Sequence, residues 1–343
     1  MKNDIRSPWQ VTRQRLLADR AALVGLFLIG IIVIAGLFAP LLAPQDPDAQ
    51  VLEFMNKPPG FKGEIIRFHY RPDLPLQLVA VTDIQVNGVR VAYTDQLGRT
   101  LTLHQSQLAG EPESEWHQTR RYWLGTDNFG RDVLSRLLYG ARISLLVGIS
   151  ASTLSLIVGL ILGAIAGFWG GWLETIIMRF TDIMFGFPTL LFLIGITAAF
   201  EPSLTVVFIA IGFVSWPGMA RLMRGQVLSV KEREFVKAAQ VLGFSRWRIL
   251  WRHVVPNCLA PVIVAYTLGI AGAIMAEASL SFLGLGAQPP TPSWGAMINT
   301  GKDFLRLAPW ISMAPGIAIA ITVLGFNLLG DSLRDALDPT LKS

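Results

Sequence analysis

Between residues 234 and 257 the chain reads EFVKAAQVLGFSRWRILWRHVVPN, a basic, helix-forming stretch set between two long apolar runs. From Lys231 to Leu242 the apolar residues recur at helical spacing, which places Phe235, Ala238, Ala239 and Leu242 on one face. The two alanines leave that face shallow, suited to close approach by another surface. Gly243 permits the backbone to leave the helix in a left-handed conformation. Ser245 is the expected N-cap of a second short helix through Arg246, Trp247, Arg248, Ile249 and His253. Pro256 marks where that helix gives way to the next apolar run. A basic loop that merely fixes topology would explain the charges. It would not explain Phe235, Trp247, Ile249 and Trp251 facing water without a partner, so the stretch reads as a docking segment.

Composition sets the frame. A mean hydropathy of +0.48 with only 15% charged residues is too apolar for an ordinary soluble domain. The apolar residues gather into runs of roughly 18 to 30, about the length a helix needs to cross the hydrocarbon core. The net charge of +5 is modest and its residues cluster near the ends of those runs, which is a topology signal and speaks against nucleic-acid binding. Cys258 is the single cysteine, so an intrachain disulfide and a multi-cysteine metal site are excluded.

Six spans are expected: about 21–43, 143–170, 183–200, 204–220, 258–283 and 308–329. The first follows Lys2, Arg6, Arg13, Arg15 and Arg20 and is too long for a signal-peptide core, so it reads as an uncleaved anchor. The positive-inside rule puts the basic N-terminus (1–20), the loop 221–257 and the tail 331–343 in the cytoplasm. The connections near Glu201 and from Gly284 to Leu307 then face outward.

Residues 44–122 differ from the rest. Val79, Val81, Ile84, Val86, Val89, Val91 and Tyr93 approximate alternation with a period of two, and Asn87-Gly88 between them signals a tight hairpin. Thr100–Leu103, after Leu97-Gly98, supplies a third strand. A small β-rich periplasmic insertion is expected, either touching a substrate-delivering protein or capping the complex. After it, Thr126 or Asp127 is placed to cap an amphipathic interfacial helix over 123–142, with Asp132 and Arg136 paired along its polar side. The permease core then occupies 143–330.

The run from Lys237 through Ala238-Ala239, Gly243 and Pro256 resembles the EAA loop of binding-protein-dependent ABC permeases. In more detail it resembles the second, C-type permease of the dipeptide, oligopeptide and nickel importers. Three other stretches carry the same resemblance: LGTDNFGRD at 124–132, EASLSFLGLG at 277–286 with QPPTPSWG at 288–295, and NLLGDSLRDALDP at 327–339. The sequence departs from the pattern at Lys237, where the motif has glutamate, and at His253 and Val255. Glu234, one turn earlier, is a partial substitute for that glutamate. The insertion is also longer than the subfamily's short loop.

The resemblance implies an all-α polytopic protein of the bacterial inner membrane, with the six helices of the type I ABC importer permease fold and both termini cytoplasmic. It implies a sister permease subunit, two cytosolic ATPases that bind ATP and Mg, a periplasmic or lipid-anchored binding protein, and a peptide as cargo. Glu234, Lys237, Ala238, Ala239, Gly243, Arg246 and Pro256 would form the ATPase-coupling loop. No cofactor is expected in this chain, since no G-x-x-x-x-G-K-[ST] occurs and Gly159–Gly171 reads as close helix packing or a turn.

Two residues in or beside spans are candidates for a path or gate: Glu277, with a structural pairing as the alternative, and Pro188, which either kinks or starts its helix. Asp182 and Arg179 are expected to pair with the loop 221–257 or with each other. His69, His104 and His117 lack metal-ligand spacing, and His253 belongs to the docking segment. Nickel or another small solute is the alternative cargo. An intramembrane enzyme would need a base within the spans, where no histidine occurs, and a scaffold or channel would leave the docking segment unexplained.

Overall fold

A computed structural model describes residues 8–71 and 73–337; Lys2, Arg6 and the end of the 327–339 motif, Asp338-Pro339, lie outside the described residues. In chain order the helices are α1 (Pro8–Ala18), α2 (Arg20–Leu37), α3 (Ala39–Leu42), α4 (Glu113–Trp116), α5 (Val133–Trp169), α6 (Gly171–Phe185) and α7 (Thr189–Ala198). They continue with α8 (Leu204–Lys231), α9 (Glu234–Val241), α10 (Arg246–Ile249), α11 (Val255–Phe282), α12 (Trp294–Gly301) and α13 (Trp310–Leu337). Five strands lie between α3 and α5: β1 (Phe61–Phe68), β2 (Gln77–Asn87), β3 (Arg90–Asp95), β4 (Thr100–His104) and β5 (His117–Tyr122). By length and composition, five helical stretches suffice to cross a membrane, and a sixth is obtained if α6 and α7, bent by 89° at their break, count as one span. That bend replaces the straight third span expected from the sequence.

The chain divides into two compact units, one of residues 1–34, 143–288 and 319–343 and the other of 35–142 and 289–318. In the first, α5 and α8 approach at backbone distance. A Cβ built on Gly159 would sit 2.5 Å from the Met219 Cβ, and one on Gly167 would sit 2.9 Å from the Arg224 carbonyl oxygen. Between them, a Cβ on Gly163 would run into the Ala220 carbonyl. The spacing of four residues puts the three glycines on one helix face, and small residues there let two helices pack without intervening side chains. The Gly159–Gly171 stretch is therefore helix packing as far as Gly167, and a turn at Gly170 and Gly171, both at positive φ. Gly163→Val is expected to destabilise the bundle by about 1–3 kcal/mol through overpacking, read as a lower midpoint of thermal unfolding in detergent.

The second unit contains an antiparallel sheet in the order β4-β3-β2-β1-β5. It is packed on both faces: Ile66, Val81, Val91, Tyr93 and Leu103 face Leu108 and Trp116, while Ile65, Ala80 and Tyr122 face Val51 and Phe54. The expected β2–β3 hairpin is present, but its turn is centred one residue later, with Gly88 (φ +64) and Val89 between the paired Asn87 and Arg90. Glycine at the first central position suits a type II′ turn, whose twist matches the flanking strands. Strands β1 and β5 were not foreseen; FKGEIIRF lacks clean alternation because Ile65 and Ile66 are both buried, on opposite faces.

The helix expected over 123–142 and the span expected from Ile143 form one unbroken α5 that begins at Val133. Neither Thr126 nor Asp127 caps it. Thr126 Oγ1 donates to the Phe54 carbonyl and accepts from the Lys57 N–H, and the helix is capped by Asp132, whose Oδ2 accepts from the Ser135 N–H at 2.8 Å. With its carboxylate turned to that amide, Asp132 does not pair with Arg136. The Arg136 guanidinium instead donates to the Pro47 carbonyl at 3.0 Å and to Asp48 at 3.3 Å.

Asp127 closes a different structure. Its Oδ1 accepts from the N–H of Phe129 (2.9 Å) and Arg131 (3.0 Å), and its Oδ2 from Arg131 Nε (2.7 Å). The same turn occurs at Asp95, which accepts from Leu97 N–H, Arg99 N–H and Arg99 Nε at 2.9, 2.9 and 2.7 Å. Both follow Asp-x-x-Gly-Arg, with Gly98 and Gly130 at φ +78 and +69. Hydrogen bonds led by the Arg99 amide hold the Asp95 carboxyl below its ordinary value of 3.8. A depressed carboxyl stabilises the fold above that ordinary value and loses the contribution as pH falls through the lower folded value. Amide exchange in residues 97–104 is therefore expected to accelerate below pH 3.8, and Asp95→Asn should remove this acid dependence.

Candidate functional site

The docking segment folds as two short helices joined at Gly243. Helix α8 ends at Lys231, whose ammonium donates to the Gly167 carbonyl at 2.9 Å. This places a cation at the C-terminal end of α5, where the helix dipole favours it. Glu234 opens α9, where a carboxylate suits the N-terminal end of a helix. At Gly243 the backbone takes φ +78, a conformation an L side chain enters at a cost of about 1–2 kcal/mol. The chain then turns to Ser245, whose Oγ accepts from the Arg248 N–H and caps α10. Arg248 lies over the Phe244 ring at 4.5 Å, and Phe244 stacks on His253.

Beyond α10 the expected break does not occur. A π-helical turn, Leu250–Val254, carries the helical path directly into α11, so that residues 246–282 form one continuous helical stretch. Pro256, at the start of α11, has no N–H to offer the carbonyl four residues back, and the wider turn before it accommodates that loss. The Asn257 side-chain amide donates to the His253 carbonyl at 2.7 Å.

The segment has two faces. Val236, Ala239, Ile249 and Leu250 are buried in a core that includes Met223, Val227 and Val254. Ala238 points to solvent, together with Val241, Leu242 and Trp247, which are 88%, 71% and 56% exposed. The alanine pair is therefore split. Ala239 anchors α9 to the bundle, and only Ala238 keeps the outer surface shallow. Phe235 and Leu242 are on the outer side with Ala238, not with Ala239. Each large apolar side chain left in water forgoes about 1.5–3 kcal/mol of burial, so a patch of this size is the mark of an interaction surface.

Beside it lies a groove of about 530 Å³ lined by Phe168, Trp169, Lys231, Glu232, Lys237, Gln240, Phe244, Arg246 and Ile249. Trp247 and Trp169 approach to 4.7 Å between ring centres at its edge. Lys237 is 3.4 Å from Glu232 with both side chains mostly in solvent, so the pair contributes little and leaves Lys237 available. Glu234, Lys237, Ala238, Gly243 and Arg246 thus share the outer surface, while Ala239 lies in the core.

The other candidates lie elsewhere. Glu277 is fully buried in α11, where its carboxylate accepts from Ser281 Oγ at 2.6 Å and Ser144 Oγ at 3.4 Å. It joins α11 to α5 and fixes its own last turn. Pro188 stands at the N-cap of α7, at the bend from α6. Asp182 pairs with Arg221 at 2.8 Å, and Glu174 pairs with Arg224, so both ties link α6 to α8 and Arg179 is not Asp182's partner. Sequence reasoning missed Trp169 and Lys231 as parts of the groove, because the residues that join them are some 60 positions apart and only the α5–α8 packing brings them together.

Apolar membrane helices carrying an exposed, capped two-helix docking segment define a transport permease of the inner membrane. The chain belongs to the family described as the binding-protein-dependent transport system inner membrane component, whose model matches residues 159–343. The N-terminal TM domain of oligopeptide transport permease C matches residues 7–59. The chain is 38% identical over 337 residues to the di/tripeptide transport system permease protein DppC of Pseudomonas aeruginosa (strain UCBPP-PA14), covering 98% of this chain and 94% of that one. It is 50% identical over 222 residues to the dipeptide transport system permease protein DppC of Alkalihalophilus pseudofirmus, covering 65% of this chain and 73% of that one. Among solved structures, the inward-facing MetNI methionine ABC transporter aligns with a TM-score of 0.50 at 16% identity, covering 59% of this chain and 96% of the matched chain, a likeness of fold.

The split alanine pair makes a direct prediction. Ala239→Trp, forced into the core, is expected to cost about 1–3 kcal/mol and lower the thermal midpoint in detergent. Ala238→Trp, directed into solvent, should leave the midpoint within the small range of ordinary surface substitutions, about 0.5 kcal/mol.

Proposed function

We propose that this chain is one of two permease subunits of an ATP-driven importer of di- and oligopeptides. Membership of the binding-protein-dependent permease family gives the class of transporter. The peptide cargo is inferred from the near full-length relative named for di- and tripeptide transport. A sister permease completes the translocation path, two cytosolic ATPases bind ATP and Mg, and a periplasmic or lipid-anchored binding protein delivers the peptide. The chain supplies no catalytic group or cofactor of its own. Both termini and the docking segment face the cytoplasm, where the positive residues of 221–257 belong, and the β-rich insertion faces the periplasm.

The observation that carries this reading is the exposed face of α9 and α10 joined without a break to α11. An ATPase seated on Ala238, Val241, Leu242 and Trp247 buries the apolar surface the chain leaves in water. Its movement on closing over ATP is passed into α11 because no flexible joint intervenes, and rigid-body motion of the bundle then alternates access. Lys237 and Arg246 beside the groove suit an acidic complement on that partner.

The test uses the complex purified from its native membrane. ATP hydrolysis is expected to rise when binding protein loaded with alanyl-alanine is added, and labelled dipeptide should enter proteoliposomes. Gly243→Pro should abolish uptake while insertion persists, since proline is held near φ −65° where the chain requires φ +78. Ala238→Trp should reduce ATPase co-purification at unchanged thermal stability. Wild-type uptake by Gly243→Pro, or a chain that purifies without any ATPase, would overturn the coupling assignment.

A further inference from the structure

A second cavity lies within the helical unit, away from the docking segment. It has a volume of about 390 Å³ and is bounded by α5, α7, α8 and α11. That size is within the range of small-ligand sites. Its lining has two parts. Hydroxyls come from Ser152, Ser155, Thr189, Ser215 and Tyr266, and a small-residue wall comes from Gly218, Gly269, Gly272, Ala273 and Ala276. No Asp, Glu, Lys, Arg or His contributes to it.

Ser152 is the informative member. It is 94% buried, at 6% exposure, and its Oγ has no hydrogen-bond partner. Helical serines and threonines ordinarily turn back to the carbonyl four residues earlier, as Thr181, Thr197, Thr267 and Ser279 do here at 2.8–3.0 Å. Ser152 alone among the described serine and threonine hydroxyls is buried and unpaired. Nearby, Tyr266 is held by a 3.0 Å hydrogen bond between its hydroxyl and Thr153 Oγ1. A buried hydroxyl without a partner is unfavourable, and in an apolar bundle there is no nearby water to relieve it. Its direction into a cavity of ligand size indicates a partner that comes and goes.

We propose that this cavity is a transient binding site for the peptide group of the cargo, with Ser152 as its hydrogen-bonding contact; the proposal rests on the peptide-import reading. A peptide group is neutral and carries one donor and one acceptor, which a hydroxyl matches in either role. A charged group would be left uncompensated by these walls, so the cargo's termini lie toward the open side. The glycine and alanine wall makes no demand on side-chain identity. The site therefore recognises what all peptides share.

The walls permit a clean test. A Cβ on Gly272 or Gly218 would meet nothing within 4 Å, so a larger residue there grows into the cavity without striking backbone. Gly30 on α2 is equally open, lies outside the cavity and serves as the control. Alanyl-alanine uptake and binding-protein-stimulated ATP hydrolysis are measured on the whole complex in proteoliposomes. Gly272→Leu is expected to cut uptake more than tenfold while stimulated hydrolysis persists, and Gly30→Leu to leave both unchanged. Ser152→Ala should lower kcat/KM for uptake about three- to tenfold, the loss of one hydrogen bond, at unchanged or higher thermal stability, and Ser152→Thr should restore it. A hydroxyl with a purely structural role would show no loss of uptake in Ser152→Ala. If wild-type complex imports alanyl-alanine and both Ser152→Ala and Gly272→Leu match it, this assignment is overturned and the importer reading stands. If wild-type complex imports no alanyl-alanine, both are overturned.

Discussion

In a bilayer the backbone must satisfy its own hydrogen bonds, so helices associate through fit and contact, with little help from the hydrophobic effect. Here the fit is made by Gly159, Gly163 and Gly167, spaced so that α5 lies against the backbone of α8. Much of the helical unit follows from that approach. It brings Lys231 to the carbonyl end of α5, places Trp169 beside Trp247, and forms one side of the core in which Val236 and Ala239 are seated. The docking segment is exposed in a defined orientation because the helices behind it leave no room to shift.

The spans were legible because long apolar runs admit few other readings. The hairpin at Asn87-Gly88 and the turn at Gly243 were legible for a similar reason: glycine at a sharp reversal leaves a local signature. What the sequence concealed was relational. Whether Ala238 or Ala239 faces the core depends on the roll of α9, set by what Ile249 and Leu250 pack against. Asp132 and Arg136 have the spacing of an ion pair, yet a helix terminus claims the first and the Pro47 carbonyl the second. The 89° bend between α6 and α7 was compressed into a single span because Gly186-Phe187-Pro188 is apolar as well as turn-forming.

The four stretches that carried the family resemblance prove to be joints. LGTDNFGRD builds the turn that leads into α5. EASLSFLGLG locks the end of α11 through Glu277 and Ser281. In QPPTPSWG, Ser293 caps α12 and the Trp294 indole donates to the Leu137 carbonyl at 3.0 Å. In the described part of NLLGDSLRDALDP, Ser332 hydrogen-bonds Asp19, which caps α2 at the Ala21 amide. Motif density therefore marks where chain direction is fixed. The cavity is lined instead by common residues, glycine, alanine and serine, whose spacing draws no attention in one dimension.

The paired Asp-x-x-Gly-Arg turns carry a consequence of another kind. Asp95–Arg99 and Asp127–Arg131 share one pattern of bonds, but Arg99 is 66% exposed and Arg131 7%. The protein thus holds the same ionic knot in two dielectric settings. Added salt screens charges in water far more than buried ones, so ionic strength would loosen the hairpin knot and spare the one at the head of α5. Any difference measured between them reports the local medium, with the covalent chemistry held constant inside a single chain.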